Sequence, residues 1–506
     1  MPITITAQPG TSPLSPGWFS NTFMAFPFLT CYPQARKRHH HSGEVIPKAL
    51  PRFFGVRSAT RGTDPLAPVG NFPHTNIYFI KCWYNRPMTS TSRTSVPVKA
   101  VTYETSTWAP RHPEAFSRAE VVRQTGEFHA ANPANIADWS PEFSAEVASD
   151  VEDASRELTE FDRHARIVLG ASNPALGPMS AILLRTESAS SSQIERLTTS
   201  AKQLALAELG EGGRSNAHVV VGNVRAMEAA LRLADDLSEE SILHMHHALM
   251  IHQPNVGKGE AGVYRKEFVW LGEGEAGPRT ADFVPPHPDR VPRSMADLLR
   301  FLGRQDLPVL VQAAVGHAQF ETIHPFVDGN GRTGRALVQS VLKNKGMVSG
   351  MAVPISAGLL NQIDRYFAAL GSFRKGDAGP IIQEFARASR RAAVSGRQLL
   401  DHLRDALEDS RTKLTGVRSD AAAWRVLPEL VAQPVMTAKY LIETLGLGEM
   451  AALRTLNLLT ERRVLREVTG QRRNRIFEHG EILRVLDDYA RGVKRATGRV
   501  AVETGS

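Results

Sequence analysis

Along most of the chain apolar residues recur three and four positions apart, the spacing that turns one stripe of a helix toward a core. Phe143, Val147, Val151, Leu158 and Phe161 follow it and predict a helix over Phe143–Leu169. GASNPALGP (170–178) interrupts the pattern. A second block, Met179–Leu209, keeps Ile194, Leu197 and Leu204 apolar up to Gly212–Gly213. Further helices are predicted over His218–Leu233, Ser238–Ile251, Ser294–Leu302, Leu307–Ile323, Ala336–Lys345, Asn361–Gly371 and Ile381–Leu407. Ser238 is an N-cap residue type, and Glu239 and Glu240 follow where the helix dipole favours negative charge. The pattern changes twice. VYRKEFVWLGEGEAGPRTADFVPP (263–286) alternates apolar and polar residues around a glycine-rich turn, which predicts a β-hairpin. From Asp420, three short helices (Ala421–Val431, Thr437–Leu445, Glu449–Arg462) precede two strands within Leu465–Phe477. That outlines a small C-terminal winged helix-turn-helix. The expected fold is mainly α.

Composition adds little until it is divided along the chain. The chain has 506 residues and a formal charge of +8, with 42% hydrophobic and 22% charged residues, as in a soluble globular protein. No apolar run approaches the roughly 18 residues needed to span a bilayer. Residues 1–87 hold nine Lys/Arg and two acids, so the remainder is close to neutral, with 51 basic and 50 acidic residues. The positive charge therefore says nothing about the body of the protein. Residues 1–87 also hold both cysteines, Cys31 and Cys82, and the run His39–His41. They read either as a disordered basic tail or as leader sequence ahead of a start at Met88. The high aromatic content favours the second, which would leave a chain without cysteine chemistry.

The densest chemistry lies in HPFVDGNGRTGR (324–335). Its GNGRTG matches the glycine fingerprint of dinucleotide folds, but that site needs a strand before the glycines and an acid about 20 residues later. The upstream segment is helix-patterned, and no Asp or Glu lies between Arg335 and Asp364. The chain has no Walker A loop either. What remains is a helix, a tight loop and a second helix starting near Gly331–Arg332. Glycines at a helix N-terminus let backbone N–H groups approach phosphate oxygens. Arg332 and Arg335 share a face and can hold two phosphates. Asp328 is a hard oxygen ligand for Mg²⁺. His324, beside Pro325, can take a proton near neutral pH. Phe326 and Val327 read as pegs holding the loop. Together these residues suit nucleotidyl transfer. By contrast, His244, His246 and His247 space like metal ligands, but His244 and His246 point to different helix faces with no nearby acid, so packing is expected.

The segment resembles the signature HPFx[DE]GNGRxxR of Fic proteins, matched at every position. AAVGHAQFETIHPF resembles the helix leading into that motif, VYRKEFVWLGE its flap hairpin, and ISAGLLNQIDRYFAAL the helix near the adenine. The resemblance covers roughly Met179–Ser389 and implies a Fic-type helical core that transfers AMP from ATP to a protein hydroxyl. His324 would then be the base, and Asp328 would hold Mg²⁺. Gly329, Asn330, Gly331, Arg332, Thr333, Gly334 and Arg335 would bind ATP, with Leu271 and Gly272 contacting it from the flap and Tyr366 and Phe367 stacking on adenine. Doc-type kinases lack the second glycine and second arginine present here. SSSQIER resembles the family's inhibitory motif [ST]xxxE[GN], with Ser191 four residues before Glu195. Glu195 would reach Arg335 and take the γ-phosphate's place. Arg196 departs from the Gly or Asn of that motif.

The expected organisation is residues 1–87 as leader, 88–178 as N-terminal segment, 179–211 as inhibitory region, 212–395 as catalytic core, 396–420 as helical linker and 421–492 as winged module. Expected partners are ATP and a protein bearing the acceptor hydroxyl, the chain itself included, in the cytoplasm and away from membranes. DNA is a candidate for the winged module, where Arg466, Arg472, Arg473 and Arg475 decorate the wing, and a second copy of the chain is a candidate for a homodimer. The competing expectation is a DNA-binding regulator whose core senses nucleotide without transferring it.

Overall fold

The computed structural model describes residues 94–169, 176–212, 215–251, 253, 259–274, 276–471 and 473–503. The expectations for residues 1–87 lie outside them. The described residues are mostly helical, and none of their helices is long and apolar enough to cross a membrane.

Strands β1 (Thr102–Trp108) and β2 (Gly126–Asn132) pair antiparallel, Thr102 opposite Asn132 and Trp108 opposite Gly126. Helix α1 (Arg118–Gln124) lies between them, capped by the Ser117 hydroxyl, which accepts the Glu120 N–H at 3.2 Å. Nothing in the sequence pattern predicts this sheet, because β1 buries no residue fully and so shows no apolar alternation. Helix α2 (Ala145–Leu169) follows the predicted stripe and buries Val147, Val151, Leu158 and Phe161. The block predicted over Met179–Leu209 divides into α3 (Leu176–Ile194) and α4 (Ala201–Glu208), because Arg196 takes a left-handed φ of 61°. Helices α5 (Ser215–Arg232) and α6 (Glu239–Met250) come next, with Ser238 capping α6 as expected. The predicted hairpin is present but short: β3 (Leu271–Gly272) and β4 (Ala281–Phe283).

The core is built on α8 (Val309–Ile323), which follows α7 (Val291–Gly303). Every residue of α8 from Leu310 to Ile323 is buried. Helix α9 (Asn330–Asn344) absorbs the stretch predicted over Ala336–Lys345. The helix predicted over Asn361–Gly371 resolves into α10 (Ile355–Leu360) and α11 (Ile363–Arg374). Helix α12 (Gly379–Lys413) runs unbroken through the expected boundary at 395/396, so residues 396–413 are part of the core packing and no separate linker begins there. It lies along α2, where a Cβ on Gly396 would stand only 2.6 Å from the Phe161 ring.

The C-terminal unit holds α13 (Ala422–Ala432), β5 (Val435–Met436), α14 (Ala438–Leu445), α15 (Glu449–Glu461), β6 (Arg466–Glu467), β7 (Phe477–Glu478) and α16 (Gly480–Glu503). Its strands form an antiparallel sheet in the order β5-β7-β6. Two strands were expected and three are found, since two residues of β5 are too few to show a period. Helix α16 extends past the expected end at 492 and had no counterpart in the sequence reading. Of the four arginines expected on a wing, Arg466 pairs with Glu478 and Arg475 pairs with Glu467 while lying over the Phe477 ring. Those two cations are neutralised inside the unit. Arg472 lies outside the described residues.

Candidate active site

Helix α8 stops at His324, whose φ and ψ of 50° and 62° are left-handed. Pro325 is the local cause, because a residue before proline is driven out of the right-handed helical region. The loop that follows is over-determined. The Asn330 carboxamide accepts the Phe326 N–H and donates to the Phe326 carbonyl, both at 2.9 Å, so its side chain shapes the loop and is not offered to a ligand. Phe326 is buried flat against His246, with centroids 3.7 Å apart. His246 Nδ1 accepts the Gly262 N–H at 2.9 Å, which leaves the ring proton on Nε2 to be donated to the Asp328 carbonyl at 3.0 Å. The packing role expected for the histidine triple therefore falls to His246 and is specific. Among the described residues no cluster of His, Cys, Asp and Glu could by itself hold a metal ion.

Arg265 was missed by the sequence reading. It stands at the base of the hairpin and is buried. Its Nε donates to the His324 carbonyl at 2.8 Å, its Nη1 to Glu267 O at 3.0 Å and its Nη2 to Pro286 O at 2.6 Å, while its backbone N–H donates to Pro325 O at 3.0 Å. One side chain thus locks the loop after α8 to the hairpin. A single arginine in an alternating stretch carries no signal that would have revealed it.

The start of α9 is built to meet negative charge. Gly329 is its N-cap at φ 78°, with Leu249 and Met250 packed so closely that a Cβ would meet both at 2.9 Å. A Cβ on Gly331 would stand 2.2 Å from Glu195 Oε1, so the bare backbone at that position is what lets a carboxylate sit on the helix start. Glu195 also accepts from Arg335 Nη2 at 2.8 Å. Arg335 is buried and further donates through Nε to Ser191 Oγ at 2.9 Å and through Nη2 to Ser191 O at 3.0 Å. Burial would lower the Arg335 pKa, but Glu195, Tyr366 and Glu321 outweigh it and hold the guanidinium charged. Arg332 differs. Its side chain is only 4% exposed, its Nη2 lies 3.4 Å from Asp328 Oδ2, and its Nε and Nη1 have no partner. The half-exposed Asp328 accepts the Gly329 N–H at 2.6 Å through Oδ1. Thr333 is buried with an unpartnered hydroxyl, and Gly334 lets α8 and α9 approach, a Cβ there lying 3.0 Å from Phe320.

The turn that carries Glu195 is a helix C-terminal motif. Leu197 N–H donates to Ser192 O at 3.0 Å and Arg196 N–H to Gln193 O at 2.9 Å, a Schellman pair with Arg196 in the left-handed position. That position favours Gly or Asn for steric reasons alone.

His324 is nearly enclosed. Burial, then the nearby Arg265 and Arg374 charges, pushes its imidazole down to about 3, so the ring is neutral at physiological pH. Its Nδ1 lies 3.8 Å from Glu321 Oε2 and has no hydrogen-bond partner. Burial pushes the Glu321 carboxyl up to about 7. The same cause puts His246 and His317 at about 3 and Glu187 at about 7. Three imidazoles that stay neutral when folded but protonate near 6.5 when unfolded contribute stability that is lost as pH falls from 6.5 toward 3. The two carboxyls act oppositely, costing stability as pH rises from 4.5 to 7. The imidazole shifts are the larger, and His479, pushed down to about 4 by its burial, adds to them, so the melting temperature should fall on acidification below about pH 6. Differential scanning fluorimetry across pH 4–8 checks this, and a melting temperature that rises steadily down to pH 4 would refute it.

The remaining site residues divide. Leu271 and Gly272 form β3, tied to the loop through Arg265, and the φ of 102° at Gly272 explains its glycine. The hairpin is braced by the unpredicted sheet: Trp108 Nε1 donates to Ala276 O at 2.8 Å, Gln124 Nε2 to Thr280 Oγ1 at 2.7 Å, and Arg279 Nη1 to Thr125 O at 2.8 Å. Tyr366 is not an adenine platform. It is 1% exposed, its hydroxyl bonds His317 Nε2 at 2.8 Å, and its ring packs against those of His317 and Phe367. It stands behind Arg335 as part of the core. Phe367 is half-buried against the same core.

Residues 236–342 match the family model described as Fic/DOC family. Protein adenylyltransferase fic-1 of Caenorhabditis elegans is 28% identical over 178 residues, 33% of this chain and 32% of that protein. Protein adenylyltransferase Fic of Nematostella vectensis is 28% identical over 164 residues, 32% of this chain and 34% of that one. A crystal structure of a Fic family protein from Desulfovibrio desulfuricans G20 aligns at 23% identity with a TM-score of 0.42, covering 67% of this chain and 97% of that one. The chain thus spans about a third of the length of the curated relatives it matches.

Proposed function

Because the chain carries a Fic domain over residues 236–342, we propose that it transfers AMP from ATP to a hydroxyl side chain of a protein and that Glu195 restrains the transfer. The observation that carries this reading is Arg332. A guanidinium 4% exposed, with two nitrogens unpartnered at the start of a helix, is placed for an anion the chain does not supply. Arg335 lies one turn on, and the neutral imidazole of His324 stands at the other end of the same loop. In the reaction the acceptor oxygen attacks the α-phosphorus while its proton passes to His324. The bond from that phosphorus to the bridging oxygen breaks, and pyrophosphate leaves against Arg332 and Arg335. Arg265 and Asn330 hold the loop so that the imidazole does not have to be repositioned. Asp328 would hold Mg²⁺. One half-exposed carboxylate suits an ion that keeps its waters and takes substrate phosphate oxygens, and when bound it would neutralise phosphate charge.

ATP labelled at the α-phosphate should put acid-stable label on protein, and ATP labelled at the γ-phosphate should not. Label from the γ-position alone would make the enzyme a kinase and overturn the reading.

The restraint rests on Glu195 occupying the ground above Gly331 and bonding Arg335. Opposite charges about 4 Å apart attract by about 4 kcal/mol at an effective dielectric near 20, before desolvation. Arg196 weakens this seat, since a non-glycine residue in the left-handed region costs about 1–2 kcal/mol. Arg196→Gly should relax the turn that presents Glu195 and lower basal labelling about fivefold, after allowing for the added chain entropy of glycine. Unchanged or increased labelling by Arg196→Gly would show that the turn does not set the restraint.

A further inference from the structure

Glu321 lies on α8 three residues before His324 and is 7% exposed. A carboxyl so deep in a helical core is normally satisfied by hydrogen bonds. Here Oε1 is buried without a partner. Oε2 lies 3.8 Å from His324 Nδ1, a buried ring nitrogen that has no partner either. A carboxyl and an orphaned ring nitrogen thus face each other at the end of α8. Helix α9 leaves room for this pairing, because a Cβ on Gly334 would stand 3.0 Å from Glu321 Oε1.

The tautomer follows from the burial. Nδ1 is enclosed, so Nε2 is left to receive the acceptor's proton and the ring's own proton belongs on Nδ1. As the acceptor oxygen attacks the α-phosphorus and its proton passes to Nε2, the ring becomes an imidazolium with N–H at both nitrogens. Its surroundings oppose that charge. Burial, then Arg265 and Arg374, holds the imidazole down to about 3. The Glu321 carbonyl, already bonded by Arg374 Nη2 at 3.1 Å, offsets this only in part. A base that weak takes a hydroxyl proton poorly. An ionised carboxylate against Nδ1 supplies the missing opposite charge, and closing the gap to about 2.8 Å makes a charge-assisted hydrogen bond.

We propose that Glu321 is a positioning residue of the transfer: its carboxylate orients the His324 ring through Nδ1 and stabilises the imidazolium formed when Nε2 takes the acceptor's proton. Glu321 itself accepts no proton, and the imidazolium returns its extra proton to solvent once the product has formed. The inference rests on the reading of His324 as the base.

The charge of Glu321 is governed from four elements. Burial raises its carboxyl to about 7, Arg335 of α9 and Arg374 of α11 draw it down, and Glu195 of α3 draws it up. His317 on α8 and Tyr366 on α11, bonded to each other, are both held neutral by burial. The carboxyl is therefore ionised above about pH 7 and protonated well below it, where it can no longer support an imidazolium.

Glu321→Gln keeps the shape and removes the charge. On the full chain at saturating ATP and Mg²⁺ it should lower label transfer from α-labelled ATP by about 10–100-fold at about pH 8, since a nearby opposite charge shifts a pKa by about 1–3 units and part of that reaches the rate. At about pH 5.5 the gap should shrink to about fivefold or less, because the wild-type carboxyl is then protonated. ATP affinity, followed by calorimetry, should not fall. In the His324→Ala background Glu321→Gln should cost nothing further, because its effect passes through the ring. An equal loss at both pH values, a further loss in His324→Ala, a fall in ATP affinity or undiminished labelling at about pH 8 would each overturn the proposal. One readout needs no variant: the wild-type rate should rise through about pH 7, and a rate constant from about pH 5.5 to 8 would overturn the proposal even if Glu321→Gln did not fold. Failure of the base reading is separable, because it would appear as label persisting in His324→Ala with Glu321 intact.

Discussion

His324→Ala is expected to lose about 10²–10⁴-fold in the rate of label transfer, the range supplied by a positioned general base. The loss should fall on chemistry and not on nucleotide binding, since Arg332, Arg335 and the start of α9 are untouched by the change. The imidazole is in the protonation state that a base requires. Burial keeps it neutral, it carries no hydrogen bond at Nδ1, and the loop behind it is fixed by Arg265 and Asn330 rather than by the ring. Alanine leaves those backbone bonds in place, although it too must adopt φ near 50°, at a cost of about 1–2 kcal/mol. The measurement is best made in the Glu195→Gly background, where the starting rate is expected to be higher, with ATP affinity followed by calorimetry. Persistence of label in His324→Ala would remove the imidazole from the reaction. A parallel collapse of ATP affinity would make it a structural or binding residue.

Much of this site was legible in the sequence because its chemistry is concentrated. A histidine before a proline, an acid, three glycines and two arginines fall within twelve residues, and each type has few alternative uses in such company. The helices around it were legible for a different reason: long apolar stripes report burial directly. What stayed hidden needs contacts that no local pattern encodes. Strand β1 buries no residue fully and so lacks a clear alternation, yet the sheet it forms with β2 and the helix between them brace the hairpin through Trp108, Gln124 and Arg279. Arg265 and His246 hold the loop from 59 and 82 residues away. Tyr366 shows the limit from the other side. A periodic aromatic on α11 announces that it is buried, but the pattern does not say whether its neighbour is a nucleotide or, as here, His317. The Glu195 contact was legible only through resemblance. Four residues from Ser191 to Glu195 place both on one side of α3, and the partner 140 positions on is set by the packing of α3 against α9.

Glu195→Gly is expected to raise labelling roughly 10- to 100-fold. The estimate follows from the net worth of a charge-assisted hydrogen bond, about 1.5–3 kcal/mol, since the larger Coulombic attraction is offset by desolvation and by the 39% exposure of the carboxylate. Removing the side chain also clears the space above Gly331, so the gain should exceed that of Glu195→Gln, which loses the charge but keeps the bulk. A second signature separates release of a restraint from a general loosening. Without Glu195, the buried Arg335 retains only its bonds to Ser191 and is left with uncompensated charge, so the folded state should weaken until an anion restores the balance. ATP with Mg²⁺ should therefore raise the melting temperature of Glu195→Gly more than that of the wild type. Equal labelling by the two proteins, or equal thermal shifts on adding nucleotide, would mean that the carboxylate over Gly331 does not compete with the phosphates that the start of α9 is built to receive.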